Sequence, residues 1–536
     1  MTALPPQAAP SSLPDGPPAS RRHFLPSIPA TVFVGVLCFV MFGFQEPLLN
    51  SDGDLARHLR HGEYMLQHHA LIRADPFSFT RPGQPFVGFE YGSQLIYTLV
   101  HRLGGLAAVT VFASLLIASA YALLSRYMIR RGVEPLFAGL VVAAAMISGM
   151  GHWVARPHLV TMVAVVILLE LLAPLGKRRL WPFVPLFAIW TNLHGGFSYG
   201  LIVVGMYLAG AMADAALDRD RSRRADVRFF AAALALATAS TLLHPRAIAV
   251  YRHIIGMFAD KYIINHTGEF LSPDFHDSGS KLFLVVMLIA IGAAALSRRR
   301  LSRTATIVLV VGIYFALTHQ RNATLFGLTA LPLMAVELDS AWRRFGMLRG
   351  LRTGFEAASR GAATAAWVMP ACALAIGLSL THGRLAGRHL LADRFSAKVF
   401  PVQAVEQARA AGLSGRIFSD FAWGGYLLYA WPEQKVFIDG GTDFYGGKLM
   451  RQYAILYEDL PGWRSLVQSW DFSVLLLRPT APLASEIMQG PGWRYWYCDA
   501  TAVVLVRTAA GRTAPPPSPA FSATACTPPP RPRAAD

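Results

Sequence analysis

Apolar windows long enough to enter a membrane recur from Pro29 to Leu380, and no other feature narrows the fold so far. They fall near Ile28–Phe44, Leu106–Ser125, Leu136–Met150, Leu159–Leu175, Trp181–Trp190 and Phe197–Ala213. The rest lie near Phe229–Leu243, Leu282–Leu296, Thr304–Leu317, Leu325–Leu338 and Ala362–Leu380. A span needs about 20 residues, so the shorter windows must extend into their polar flanks. Hydrophobic residues make up 54% of the 536 and charged residues 15%, too apolar for a soluble chain of this length. The expectation is a polytopic α-helical membrane protein with about eleven transmembrane helices.

The net charge of +17 would suggest nucleic acid in a soluble protein. Here much of it sits in short loops between apolar windows, and no nucleic-acid motif accompanies it. Alternate loops carry Arg126, Arg130 and Arg131, then Lys177 to Arg179, then five arginines from Arg219 to Arg228. Arg298 to Arg300 with Arg303, and five arginines from Arg343 to Arg360, continue the series. With Arg21 and Arg22 these loops hold 22 Lys plus Arg, against 11 in the intervening loops. The positive-inside rule then places the N-terminus in the cytoplasm. An odd number of spans leaves the C-terminal region outside. The first span lacks an Ala-x-Ala cleavage site and reads as a retained helix.

Residues 1–26 and 511–536 read as disordered tails, the first rich in Pro, Ala and Ser and the second rich in Pro. Between them lie a transmembrane region, 27–382, with a long outer loop at 51–105, and an extracytoplasmic domain at 383–510. In that domain Ala397–Ala411 has helical spacing, and Arg416–Ser419 and Lys435–Ile438 read as short buried strands. Ser465–Trp470 could end a helix leading into a strand at Ser473–Leu477, and Trp493–Cys498 with Ala502–Val506 suggests a closing hairpin. The alternation predicts a small α/β layer. Cys38 and Cys372 fall in apolar windows as packing residues, while Cys498 and Cys526 share a compartment that permits a disulfide.

The stretch Asn50-Ser-Asp-Gly-Asp-Leu-Ala-Arg-His, just after the first window, places Asp52 and Asp54 beside the membrane edge. A short amphipathic helix follows, with Leu55, Leu59 and Leu66 on one face and Arg57, His58, Arg60 and His61 mostly on the other. Such a helix would lie along the interface. The acid pair could supply a base or a metal site. Equally, Asp54 could be an ordinary helix N-cap, stabilising by about 1 kcal/mol.

Four turns at the outer ends of helices repeat one chemistry. They are His152-Trp-Val-Ala-Arg156-Pro-His158, Asn192-Leu-His194-Gly-Gly196, His244-Pro-Arg246 and His319-Gln-Arg321-Asn322. Arginine there runs against the charge bias, and its forked donors suit phosphate. Snorkelling arginines and capping histidines would account for any one turn; four together point to a shared pocket. Arg156, Arg246, Arg321, His158 and His244 are the candidate phosphate ligands. Glu90, His194, Glu269, Asp274 and His319 are candidates for the remaining substrate contacts. Glu170, inside a span, reads as a helix-contact or inner-edge residue. The Gly-rich Asp439–Gly447 segment is not a nucleotide-binding motif and reads as a tight turn.

These features resemble the bacterial type C glycosyltransferase superfamily, membrane enzymes that use polyprenyl-phosphate sugars. The resemblance covers most of 28–510. It rests on the span layout, the acidic first loop with its helix, and the outward C-terminal domain. Within that domain Phe418-Ser-Asp-Phe-Ala-Trp-Gly-Gly-Tyr426 and Val436-Phe-Ile-Asp-Gly-Gly-Thr-Asp-Phe-Tyr-Gly446 resemble uncharacterised members. A distant similarity to the Trp-Trp-Asp motif of oligosaccharyltransferases lacks the Trp-Trp pair, so peptide recognition is not implied. The resemblance implies a bacterial plasma-membrane enzyme moving a sugar from a polyprenyl-phosphate donor to an extracytoplasmic acceptor glycan, lipid or protein. It also implies that Asp54 or Asp52 is the catalytic base, and it leaves room for a divalent metal, Mg or Mn, at that pair. Competing readings are an O-antigen ligase or polymerase, a lipid-glycan transporter, and a non-catalytic assembly protein. A transporter would show charged or broken segments near the midplane and an internal repeat; the polar clusters here sit at helix ends.

Overall fold

The computed structural model describes residues 26–218, 223–298, 300–344, 346–361, 365–508 and 516–518. The expectations for the two tails and for Cys526 fall outside these residues, apart from 516–518, where the Ser518 amide donates to the Trp496 carbonyl (2.9 Å). Among the described residues, each of the eleven apolar windows overlaps a helix. Helix α1 (Ile28–Cys38) opens on a Ser27 cap and runs on as a π-helical turn to Gly43, followed by α2 (Gln45–Asn50) and α3 (Asp54–His68). Next come α4 (Tyr91–Arg130), α5 (Pro135–Gly149), α6 (His158–Leu172), α7 (Phe183–Leu193), α8 (Phe197–Leu217) and α9 (Arg224–Thr241). The bundle continues with α10 (Ile248–Ala259), α11 (Lys261–His266), α12 (Ser278–Leu296), α13 (Arg303–Thr318), α14 (Ala323–Trp342), α15 (Arg349–Gly361) and α16 (Val368–Leu380).

Among the described residues, five of these helices are long and apolar enough to cross a membrane, and six shorter ones are apolar. Their outer faces carry large apolar side chains such as Leu296 (86% exposed) and Met369 (77%). Water would not tolerate such a surface in quantity; a lipid environment would. Helix α4 is broken by Gly104 and Gly105, whose backbones leave the helical region. Glu170 is an inter-helix contact, its carboxylate 3.1 Å from Arg131. Of the cysteines, Cys38 is exposed, Cys372 half-buried and Cys498 buried.

After a two-residue hairpin, β1 (Arg384–Leu385) with β2 (Arg388–His389), the chain builds a four-stranded sheet. In chain order the elements are α17 (Val402–Ala410), β3 (Ile417–Ser419), α18 (Gly424–Ala430), α19 (Thr442–Tyr457), α20 (Trp463–Trp470) and β4 (Val474–Leu477). α21 (Pro482–Ile487), β5 (Trp493–Cys498) and β6 (Val503–Arg507) complete it. The strand order is β3-β4-β6-β5, with β3 and β4 parallel and the other neighbours antiparallel. The closing hairpin therefore forms where its alternation puts it. The expected strand at Lys435–Ile438 does not. Only Val436 pairs, bridging Ile417 on one side and Ser78 of the first outer loop on the other. Its amide donates to the Phe77 carbonyl (3.1 Å) and its carbonyl accepts from the Phe79 amide (3.1 Å). The apolar run is buried because two chain segments cover it, not because it extends as a strand.

The predicted faces of α3 are also corrected. His58 and His61 are 1% and 2% exposed, because α3 is wedged between α4 and α18 and buries more than its leucine face.

Candidate active site

The N-terminus of α3 meets the sheet domain through backbone. A Cβ on Gly53 would stand 2.3 Å from the Ala422 carbonyl oxygen, and one on Gly440 would stand 1.8 Å from Asp54 Oδ1. Glycine at these two positions lets the Asp439–Asp443 segment lie directly against α3. That segment is not the tight turn its glycines suggest. Asp439 Oδ1 accepts the Gly441 amide (2.8 Å), and the chain passes straight into α19. Capping of α3 falls to Asp52, whose Oδ1 accepts the Asp54 amide (3.0 Å). The Asp54 carboxylate is left free for other partners.

Those partners are guanidinium groups. Asp54 is paired with Arg156 at 2.5 Å and Arg57 at 3.3 Å. Arg156 also reaches Asp52 at 3.0 Å and Glu269 at 3.6 Å, and Glu269 in turn pairs with Arg321 at 3.2 Å. Arg156 can sit here because its loop is anchored twice. The Ala155 amide donates to the Leu48 carbonyl (2.8 Å), and the Tyr97 hydroxyl donates to the Arg156 carbonyl (3.0 Å). The network is nearly balanced in charge, with Asp54 buried and its partners half-buried. Buried charges are tolerated only when paired in this way.

A cavity of about 540 Å³ opens beside the network. It is lined by charged side chains, Asp54, Arg57, Glu90, Arg156, Glu269 and Arg321, and by apolar ones, Met162, Ile202, Phe258, Phe315 and Leu325. Of the apolar group, Ile202 and Phe258 are 40% and 45% exposed.

Burial alone would raise the Asp54 carboxyl, but Arg156 and Arg57 outweigh it and hold it well below the usual carboxylate range. Glu269 is also lowered: burial opposes ionisation there, and Arg156 with Arg321 overcomes it. Glu90 goes the other way. Burial pushes it up to about 8, and Arg57 and Arg156 only partly offset that. Asp439 is pushed up to about 6 by burial despite Arg57. Asp443 stays below its ordinary value, because the hydrogen bond and charge of His253 at 2.7 Å outweigh burial.

Of the residues singled out in the sequence, Asp54, Glu90, Arg156, His158, His194, Glu269, His319 and Arg321 line this cavity. Asp52 joins through Arg156. Three do not come together with them. Arg246 turns its guanidinium onto the Phe86 carbonyl (2.8 Å) and straps the first outer loop. His244 stacks on Tyr91 with ring centres 6.1 Å apart and accepts the Arg246 amide (3.0 Å). Asp274 accepts the His276 amide at an exposed turn. The expected trio of converging arginines is thus a pair, Arg156 and Arg321, joined by Glu269.

Sequence reasoning passed over Arg57, Asp439, Asp443 and His253. Arg57 reads in the sequence only as part of the polar side of an interfacial helix, and His253 lies on α10, a helix between the apolar windows. Asp439 and Asp443 were visible as the ends of an Asp-Gly-Gly-Thr-Asp run, without a sign of what the run would touch.

The donor set at Asp52 and Asp54 does not fit a divalent metal. Both carboxylates present oxygens to Arg156, a cation already in place. Among the described residues, no group of three His, Cys, Asp or Glu is arranged to hold a metal ion.

No family model matches the chain, and no curated protein sequence does. Solved structures share its architecture. The archaeal oligosaccharyltransferase AglB from Archaeoglobus fulgidus, in complex with an inhibitory peptide and a dolichol-phosphate, superposes with a TM-score of 0.53 at 11% identity, over 90% of this chain and 74% of that one. ArnT from Cupriavidus metallidurans bound to undecaprenyl phosphate gives 0.49 at 11% identity, over 89% and 98%.

Proposed function

The chain has the fold of the type C membrane glycosyltransferases, and on that premise we propose that it transfers a sugar from a polyprenyl-phosphate donor to an acceptor hydroxyl. One observation carries this reading: a single cavity is lined both by guanidinium groups and by apolar side chains, among them the part-exposed Ile202 and Phe258. An amphiphile with an anionic head and a long apolar tail matches that lining. The polyprenyl tail lies against Ile202 and Phe258, and the phosphate meets Arg321 and Arg156. Glu269 lies between the two guanidinium groups and orients them. As the bond between the anomeric carbon and the phosphate oxygen breaks, negative charge grows on the leaving phosphate, where preformed donors are worth most. His158 and His194, kept neutral by burial, add hydrogen-bonding capacity to the same cavity. The dolichol-phosphate and undecaprenyl phosphate in the two solved structures support a lipid-phosphate ligand of this type.

We place the cavity and the sheet domain on the extracytoplasmic face of a bacterial plasma membrane. The lysine and arginine excess in the alternate loops supports that orientation.

The test is binding of undecaprenyl phosphate to the purified protein in detergent or nanodiscs. Saturable binding is expected, weakened in Arg321→Ala by about 1.5–3 kcal/mol, as for the loss of a charged hydrogen bond. Unchanged affinity in Arg321→Ala would remove the donor site from this cavity.

A further inference from the structure

The carboxylates of the cavity differ in what holds them. Asp54 carries two guanidinium partners, Glu269 is 3.2 Å from Arg321, and Asp443 is 2.7 Å from His253. Glu90 has no guanidinium partner among the described residues. Its closest ionisable neighbours are two histidines, with His58 Nε2 at 3.8 Å from one oxygen and His194 Nε2 at 3.7 Å from the other. Both distances exceed a hydrogen bond, so both oxygens keep lone pairs available. A general base needs such lone pairs within reach of the proton it takes, and a proton affinity matched to the working pH. Asp54, the expected base, lacks both.

We propose that Glu90 is the general base of the transfer, a role that rests on the glycosyltransferase reading above. The acceptor hydroxyl gives its proton to a Glu90 oxygen while its own oxygen bonds to the anomeric carbon. The bond from that carbon to the phosphate oxygen breaks, and polyprenyl phosphate departs with the electron pair. Asp54 then serves as a positioning residue, fixing Arg156 and Arg57.

The surroundings of Glu90 fit this division. From α3 it faces Asp54, Arg57 and His58; from the connection before α6, Arg156; from the turn before α8, His194; from α19, Asp443. Burial holds both His58 and His194 well below the ordinary histidine range, so they stay neutral and leave the carboxylate without a cation in direct contact. Behind Glu90 lies a second cavity of about 40 Å³, lined also by His61, Gln94, Asp439 and His253. Its volume accommodates one or two waters. His61 Nε2 and Gln94 Oε1 are buried without a hydrogen-bond partner among the described residues. Water held there gives the proton a way off Glu90 that avoids the donor phosphate.

The experiment follows release of undecaprenyl phosphate by the purified full-length protein from a panel of undecaprenyl phosphate-linked hexoses and pentoses between pH 6 and 9. The wild-type rate should climb about tenfold per pH unit and level off near pH 8, as the Glu90 carboxylate becomes ionised. Glu90→Gln should lose about 10²–10⁴-fold in rate and the rising limb with it, yet bind undecaprenyl phosphate like wild type. Glu90→Asp should keep the limb at reduced rate. A Glu90→Gln protein with the wild-type rate and pH profile would overturn the role. So would loss of undecaprenyl phosphate binding in that variant, which would make Glu90 a donor-binding residue. If the wild-type protein neither binds undecaprenyl phosphate nor releases it from any donor, the glycosyltransferase reading falls and this role falls with it.

Discussion

At the scale of single residues, Asp52 and Asp54 look alike in sequence and do different work. Asp54→Asn weakens the partnership with Arg156 and Arg57, at about 1.5–3 kcal/mol for each charged hydrogen bond lost. Asp52→Asn keeps the helix cap, since Asn caps as well as Asp, and loosens one contact of a side chain that is 31% exposed. Thermal melting in a common detergent should therefore drop clearly for Asp54→Asn and stay near wild type for Asp52→Asn. Equal melting points would mean that the arginine network is not held by Asp54.

Glu90 makes a separate prediction about stability. Its folded-state proton affinity lies above the ordinary carboxylate value of 4.5, at about 8. The stabilisation is complete below pH 4.5 and is lost as pH rises through 8. Glu90→Gln should remove that loss, so the variant should gain on wild type between pH 6 and 9 in melting experiments. A constant difference across that range would contradict the raised affinity. Charges that run against the membrane's bias made Arg156 and Arg321 legible in the sequence. Asp439 and Asp443 had no such signature, because their role depends on where a distant backbone comes to rest.

At the scale of elements, the site depends on how closely α3 approaches the sheet domain. Gly440→Ala would press a methyl group into Asp54 and should lower both the melting temperature and transfer. Gly139→Ala, which meets nothing within 4 Å, should stay within about 0.5 kcal/mol of wild type. Equal behaviour of the two would mean that the segment is free to back away. The apolar windows were legible as helices because period and length leave little choice. The polar helix α3 was misjudged for the opposite reason: amphipathic spacing says which side is apolar, not how many neighbours arrive. Lys435–Ile438 shows the same limit. Its apolar run is buried by Ser78 and Ile417 from opposite ends of the sequence.

At the scale of the whole molecule, the orientation can be checked directly. Reporter fusions after Leu380 should report an extracytoplasmic location and fusions at Arg223 a cytoplasmic one. The reverse pattern would place the cavity on the other face. Removing residues 383–508 should abolish undecaprenyl phosphate-dependent transfer even if the helical bundle survives, because Gly440, Thr442 and Asp443 form one wall of the cavity. A truncated protein that still transfers would reduce the sheet domain to an accessory.

The backbone bridge between Ser78 and Val436 also sets a schedule. Thr80 hydrogen-bonds the Phe437 carbonyl across 357 positions of sequence. At a synthesis rate of about 5–20 residues per second, the early loop waits roughly 20–70 s before its partner leaves the ribosome. During that interval Phe79 lacks Phe437, Trp470 and Phe472, the rings that later enclose it. The newborn chain thus carries a half-built site, open to proteases and to mispairing, that closes only once the sheet domain has been made.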